Sequence, residues 1–239
     1  LRYFRFLSYF GCNKNIIHKE SMLACLESIG LTLSLSKERK AYEFFKLIKG
    51  KYAADVLILM KNKQILKFLL PGIEKIKKTN FKILTNLKKE KLIRISFLII
   101  MSQSKLDILK EHLLFSKKDF NEIKLLCLSF FLYEINNIKE ARFVKFKLGR
   151  KIGMNLYHLK CKINKKNIRN QILSTLQYWT PPVFPIDGND IKKMGFKKSQ
   201  LLGQILKETK KWWISEDFKP NRKECILKSK EIIANSTAL

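Results

Sequence analysis

TPPVFPIDGNDIKKMGFKKSQLLGQIL, residues 180–206, gathers the chain-breaking residues of this protein. It holds three of the five prolines (Pro181, Pro182, Pro185) and three of the nine glycines (Gly188, Gly195, Gly203). Proline inside a helix lacks an N–H and clashes with the preceding turn. Residues 181–185 are therefore expected to run extended, with Val183 and Phe184 tucked into the body. Asp187-Gly188 reads as a turn. Asn189 or Asp190 reads as the cap of a short helix, IKKM, which Gly195 ends, and Ser199 caps the next helix.

Outward from this stretch nearly every segment has helical period, and no run alternates cleanly with period two. The spacing predicts an opening helix with Tyr3, Phe6, Leu7 and Phe10 on one face and Arg2, Arg5 and Tyr9 on another, stopped at Gly11. A second helix is expected over 19–29. Ser36 caps a third, whose Ala41, Phe44, Phe45 and Ile48 form an apolar stripe ending at Gly50. Helices follow at 52–61 and 63–70, and Pro71-Gly72 breaks the run. Further helices are expected at 81–88, 91–102, 105–115, 117–132, 137–151, 154–162, 166–178, 199–214 and 221–234, with Ser104 and Ser116 as N-caps. The fold class is all-α, an elongated multi-helix array.

The 239 residues carry 49 Lys+Arg against 20 Asp+Glu, a formal charge of +29, with 46% hydrophobic residues. That surplus on a chain able to bury a core makes a surface field that attracts polyanions. Only eight of the basic residues are Arg, which is also what an AT-rich genome produces, so part of the charge can reflect composition. Five Cys without a C-x-x-C pair read as reduced thiols of a cytoplasmic protein, and the three His show no metal-ligand spacing. The most apolar run, LIRISFLIIM at 92–101, is too short to span a bilayer and holds Arg94, so no membrane partner is expected.

In the opening stretch two helix ends flank Gly195, with Lys192, Lys193, Lys197 and Lys198 beside it. Backbone N–H groups at a helix start bind phosphate, and lysines reinforce this. The alternative is a plain helical hairpin with solvated lysines.

The pattern P-x-F-P-I-x-G-x-D-I at 182–191, followed by Gly195, Gly203-x-x-L and Trp213-Ile214, resembles the C-terminal segment of bacterial tRNA nucleotidyltransferases (CCA-adding enzymes) and their poly(A) polymerase relatives. The opening LRYFRF resembles the end of the family motif D-P-x-R-x-L-R-x-x-R-F, which joins catalytic head to neck; Leu1, Arg2, Arg5 and Phe6 match. LSKERKAYEF is similar to the neck motif S-x-E-R-x-x-x-E, matched by Ser36, Glu38, Arg39 and Glu43. Residues 80–170 match only as generic helices.

The resemblance implies a neck at 1–72, a tRNA-binding helical body at 73–179 and a tail at 180–239. It implies template-free addition of CCA by two metal ions on a G-S-x-x-D-x-D carboxylate motif in an N-terminal head. That motif is not in this sequence, and EDF at 216–218 is poorly placed for metals. The chain is thus expected to be the head-less, RNA-binding portion, with no catalytic or metal residues of its own. Mg2+ with ATP or CTP is expected only with the head, whether truncated away or separately encoded.

By resemblance Arg2 contacts the nucleotide, and Arg5 projects beside it or forms a salt bridge inside the neck. Glu38 and Arg39 brace the neck helix beneath the nucleotide, with Glu43 available at i+4 as an ion-pair partner. Arg150 and Lys151 meet the acceptor stem or form a solvated helix end. Lys192, Lys193, Gly195, Lys197, Lys198 and Gly203 contact RNA. Trp179, Trp212 and Trp213 stack on bases or fill a core. The expected partner is tRNA, at its acceptor stem and elbow. The alternatives are a poly(A) polymerase fragment, a basic helical nucleic-acid-binding or scaffold protein, and a decayed remnant.

Overall fold

The computed structural model describes residues 1–11, 17–194 and 199–237, and these contain helices and no strand. In chain order the helices are α1 (Arg2–Phe10), α2 (Lys19–Glu27), α3 (Lys37–Lys49), α4 (Ala53–Asn62), α5 (Leu66–Leu69), α6 (Lys78–Phe81), α7 (Lys91–Ser102), α8 (Asp107–His112), α9 (Lys117–Leu132), α10 (Ile138–Ile163), α11 (Asn170–Tyr178), α12 (Gly188–Lys193), α13 (Ser199–Ser215) and α14 (Arg222–Thr237). Short 3-10 turns join several of them, the longest at Lys82–Asn86. The all-α class is as the helical spacing predicts. Gly195, Lys197 and Lys198 lie outside the described residues.

The chain divides into two compact units. The first comprises residues 1–134 and 154–169, the second 135–153 and 170–239.

In the first unit α1 packs on α3 and α4, and α7 packs on α3 and α9. The buried face of α1 is Phe4, Leu7 and Ser8, whereas Phe6 and Phe10 are exposed. This corrects the expected apolar stripe. Ser8 is buried because the α3–α4 corner lies against it: Tyr52 N donates to Ser8 O at 2.8 Å. A Cβ at Gly50 would stand 2.3 Å from that same oxygen, so glycine permits the contact. Ser36 caps α3 and Ser116 caps α9, each accepting from the backbone N–H three residues on. Ser104 caps nothing, because α8 starts at Asp107 with Leu106 before it.

Arg94 is the polar centre of this unit. It is 2% exposed, and it donates only to carbonyls: Lys88 at 3.1 Å, Ile48 at 2.5 Å, Gly50 at 3.2 Å, Leu84 at 3.0 Å and Leu87 at 3.2 Å. The end of α3 and the turns before α7 thus converge on one guanidinium. Helix C-termini present carbonyls and negative dipole ends, which suit a cation.

The second unit is built on Ile186, Ile191, Ile205, Trp213, Phe218 and Cys225. Trp213 is 1% exposed, donates from Nε1 to Pro220 O at 3.1 Å and meets Phe184 and Phe218 edge-on. Trp179 packs on Phe218, and Trp212 packs against the same cluster. The core reading of the tryptophans is therefore the one the structure adopts. Between α13 and α14 the Thr209 and Ser229 hydroxyls pair at 3.0 Å inside the protein.

Two helical segments meet within α10, as expected of 137–151 and 154–162, but their boundary lies at Gly149 and not between 151 and 154. The break falls at Gly149, whose φ of 75° and ψ of 172° are not helical. Residues at that positive φ favour glycine.

Candidate nucleic-acid interface

Two of the neck residues meet where α1 packs on α3. Arg5 Nη1 donates to Glu43 Oε1 at 3.1 Å, with the Glu43 side chain 8% exposed. The expected i+4 pairing of Arg39 with Glu43 is replaced by this one. Because α1 lies across α3, Glu43 faces α1, while Glu38 and Arg39 sit on the exposed first turn. Arg2 is exposed. The Glu38 carboxyl is held below the usual range by its own backbone N–H and by the Ser36 hydroxyl, as suits an acid in a helix's first turn.

The Pro/Gly stretch departs from expectation at three points. Val183 is 90% exposed, while Phe184 packs into the Trp213 cluster. Asp187, rather than Asn189 or Asp190, caps α12, and Gly188 is its first residue instead of the second half of a turn. Asp187 Oδ1 accepts from Asn189 N at 2.8 Å and Asp190 N at 3.2 Å, and Asp190 Oδ2 accepts from Asp187 N at 3.0 Å. This reciprocal capping box is tied to α14, because Arg222 bonds Asp190 Oδ1 and donates to Pro185 O at 3.2 Å. Lys192 and Lys193 project from the end of α12 and are exposed.

Gly203 lies on an exposed face of α13, where an added Cβ meets nothing within 4 Å. Nothing in the described protein requires glycine there. Arg150 and Lys151 follow the Gly149 kink and are exposed. Nearby, Lys145 is buried and reaches Thr175 O at 3.5 Å; burial, then the Arg150 charge, lowers its pKa. Arg142, between Asp217 at 2.5 Å and the Trp179 ring, serves the core. Thus Arg2, Arg5, Glu38, Arg39 and Glu43 belong to the first unit, and Arg150, Lys151, Lys192, Lys193 and Gly203 to the second.

Among the described residues no group of three or more His, Cys, Asp or Glu side chains could hold a metal ion. No helix among them is long and apolar enough to cross a membrane.

Sequence reasoning missed the Arg94 hub and the Arg222–Asp190 link. Arg94 is signalled only as a cation inside an apolar run. Asp187-x-x-Asp190, at capping-box spacing, was available as a signal for the second.

Residues 16–77 match the family model described as "Probable RNA and SrmB- binding site of polymerase A". The match covers α2 to α5 and includes Glu38, Arg39 and Glu43. A stretch of 57 residues is 30% identical to the CCA tRNA nucleotidyltransferase 1, mitochondrial, of Danio rerio, covering 24% of this chain and 13% of that protein. Against the proteins of the same name from Mus musculus and Homo sapiens, 66 residues are 26% identical, covering 28% of this chain and 15% of each. The matched stretch is thus about one seventh of those relatives' length.

Proposed function

We propose that this chain, whose residues 16–77 match an RNA-binding segment of the polymerase A family and resemble CCA tRNA nucleotidyltransferases over a short stretch, is the tRNA-holding portion of a CCA-adding nucleotidyltransferase acting in the cytoplasm. The observation that carries this reading is the family match to an RNA-binding segment in a chain of formal charge +29. The neck is 1–72, the tRNA-binding body 73–179 and the tail 180–239. Exposed cations on rigid helices grip phosphates and 2′-hydroxyls by shape, without reading base edges.

Arg2 is free to reach a nucleotide at the head–neck junction, since Arg5 is committed to Glu43. Glu38 and Arg39 support that junction from α3. Arg150, Lys151, Lys192 and Lys193, together with Gly195, Lys197, Lys198 and Gly203, form the acceptor-stem and elbow contacts. Metal ions and the nucleotide triphosphate belong with the catalytic head, so this chain's own work is to bind and orient tRNA.

Nuclease footprinting on tRNA lacking its CCA end tests this. Protection of the acceptor stem and elbow is expected, with the anticodon arm left open. Uniform protection along the whole molecule refutes it. The match to an RNA-binding site of polymerase A also favours a second reading, an RNA-holding part of a poly(A) polymerase; equal affinity for tRNA and for an unstructured RNA of the same length is its signature.

A further inference from the structure

The first unit contains a basic cavity that none of the neck and tail motifs includes. It measures about 340 Å³ and is lined by Lys82 and Asn86 from the 3-10 turn and by Lys162, Lys165, Lys166 and Asn167 from the end of α10 and its following loop. None of the lining residues is acidic. We propose that this cavity seats a backbone phosphate of the bound RNA, making a contact point independent of the tail lysines.

Three observations carry the proposal. The first is convergence: lysines from two separate segments meet at one hollow, so the arrangement exceeds the ordinary enrichment of lysine in a helix's last turn. The second is rigidity. Lys166 N donates to Cys161 O at 2.8 Å and Asn164 N to Lys160 O at 2.9 Å, closing the helix end, and Arg169 N donates to the Tyr157 hydroxyl at 2.8 Å. Lys165 holds φ at 54°, the left-handed position that glycine fills most easily. A lysine there keeps its cation at the rim at the expense of backbone ease. The third is the local positive charge. His158 is half-buried one turn before Lys162, and its pKa is lowered by burial first and then by Lys88 and Lys162.

The chemistry that answers such a site is a phosphate oxygen, with the Asn86 and Asn167 amides and the Thr79 hydroxyl placed for the neighbouring ribose. A diester in a strand is favoured over a free anion because Lys78 and Lys88, exposed and close in sequence to the lining residues Thr79 and Asn86, add cations for a continuing backbone.

The proposal rests on the RNA-holding reading above. Its test is tRNA binding by the full-length chain across a salt titration, comparing wild type with a Lys82→Gln, Lys162→Gln, Lys165→Gln variant. A Lys117→Gln, Lys118→Gln, Lys124→Gln variant, altered on exposed positions of α9, controls for charge alone. The cavity variant is expected to bind at least about tenfold more weakly at physiological salt, with the slope of log affinity against log salt shallower by about 1. The control is expected to lose less than half of that slope. Equal losses in the two variants overturn the cavity site and leave the RNA-holding reading standing. No binding of tRNA by the wild type overturns both. Pyrophosphate that binds the wild type but not the cavity variant, and leaves tRNA affinity unchanged, assigns the cavity to a free phosphate and overturns the strand contact.

Discussion

Arg5 on α1 and Glu43 on α3, separated by 38 positions in sequence, meet at 3.1 Å, and the contact decides which of two adjacent arginines is available to a ligand. Arg5 binds its own protein, whereas Arg2 faces solvent. Glu43 is nearly buried, and its Oε2 has no hydrogen-bond partner, so the carboxylate depends on Arg5. Arg5→Met is expected to cost about 2 kcal/mol of stability. Arg2→Ala is expected to cost less than about 0.5 kcal/mol. Urea unfolding midpoints of the two variants check this, and equal losses contradict it.

Arg94 is expected to be the most sensitive polar position in the first unit. Arg94→Met strands five carbonyl contacts among buried groups and should cost at least about 3 kcal/mol. Arg94→Lys should recover little, because an ammonium cannot reproduce the planar fork. Calorimetric Tm values for both variants within a degree of wild type contradict the hub.

Burial pushes the Cys127 thiol up to about 12, against about 8.5 in an unfolded chain. The folded protein therefore keeps a proton that the unfolded chain releases. That contribution is complete below the unfolded pKa and is lost as pH rises through the folded one. Wild type is expected to lose stability with pH more steeply than Cys127→Ala between about pH 9 and 11. Parallel slopes contradict it.

Gly203→Ala separates folding from binding. The new methyl meets no atom within 4 Å, and alanine is the better helix former, so stability should rise by up to about 1 kcal/mol. If the bare backbone of α13 approaches RNA, tRNA affinity should fall about tenfold, a change of about 1.4 kcal/mol. Unchanged affinity removes Gly203 from the interface.

Most helices are legible in the sequence because their apolar spacing and Ser caps agree. The α3 stripe of Ala41, Phe44 and Ile48 is buried as its period requires. The face of α1 was not legible. Phe6 and Phe10 are as apolar as Phe4, and only the approach of Gly50 to Ser8 selects the buried side. Val183 and Phe184 cannot both point inward, because successive side chains of an extended chain face opposite ways. Arg94 could not be placed, because its partners are carbonyls up to 46 residues away, and carbonyls leave no mark in a sequence. Among the site residues, the neck motif identified the Glu43 position, but the crossing of α1 over α3 chose its partner.

The decisive measurement is binding of the purified chain to tRNA lacking its CCA end, with duplex DNA of similar length as competitor, across a salt titration. Attraction from charge alone falls steeply with salt and does not distinguish the two ligands. A tRNA-holding protein is expected to retain tRNA near physiological salt while the DNA fails to displace it. Displacement by DNA at equal concentration, with both complexes lost over the same salt range, contradicts a tRNA-holding role.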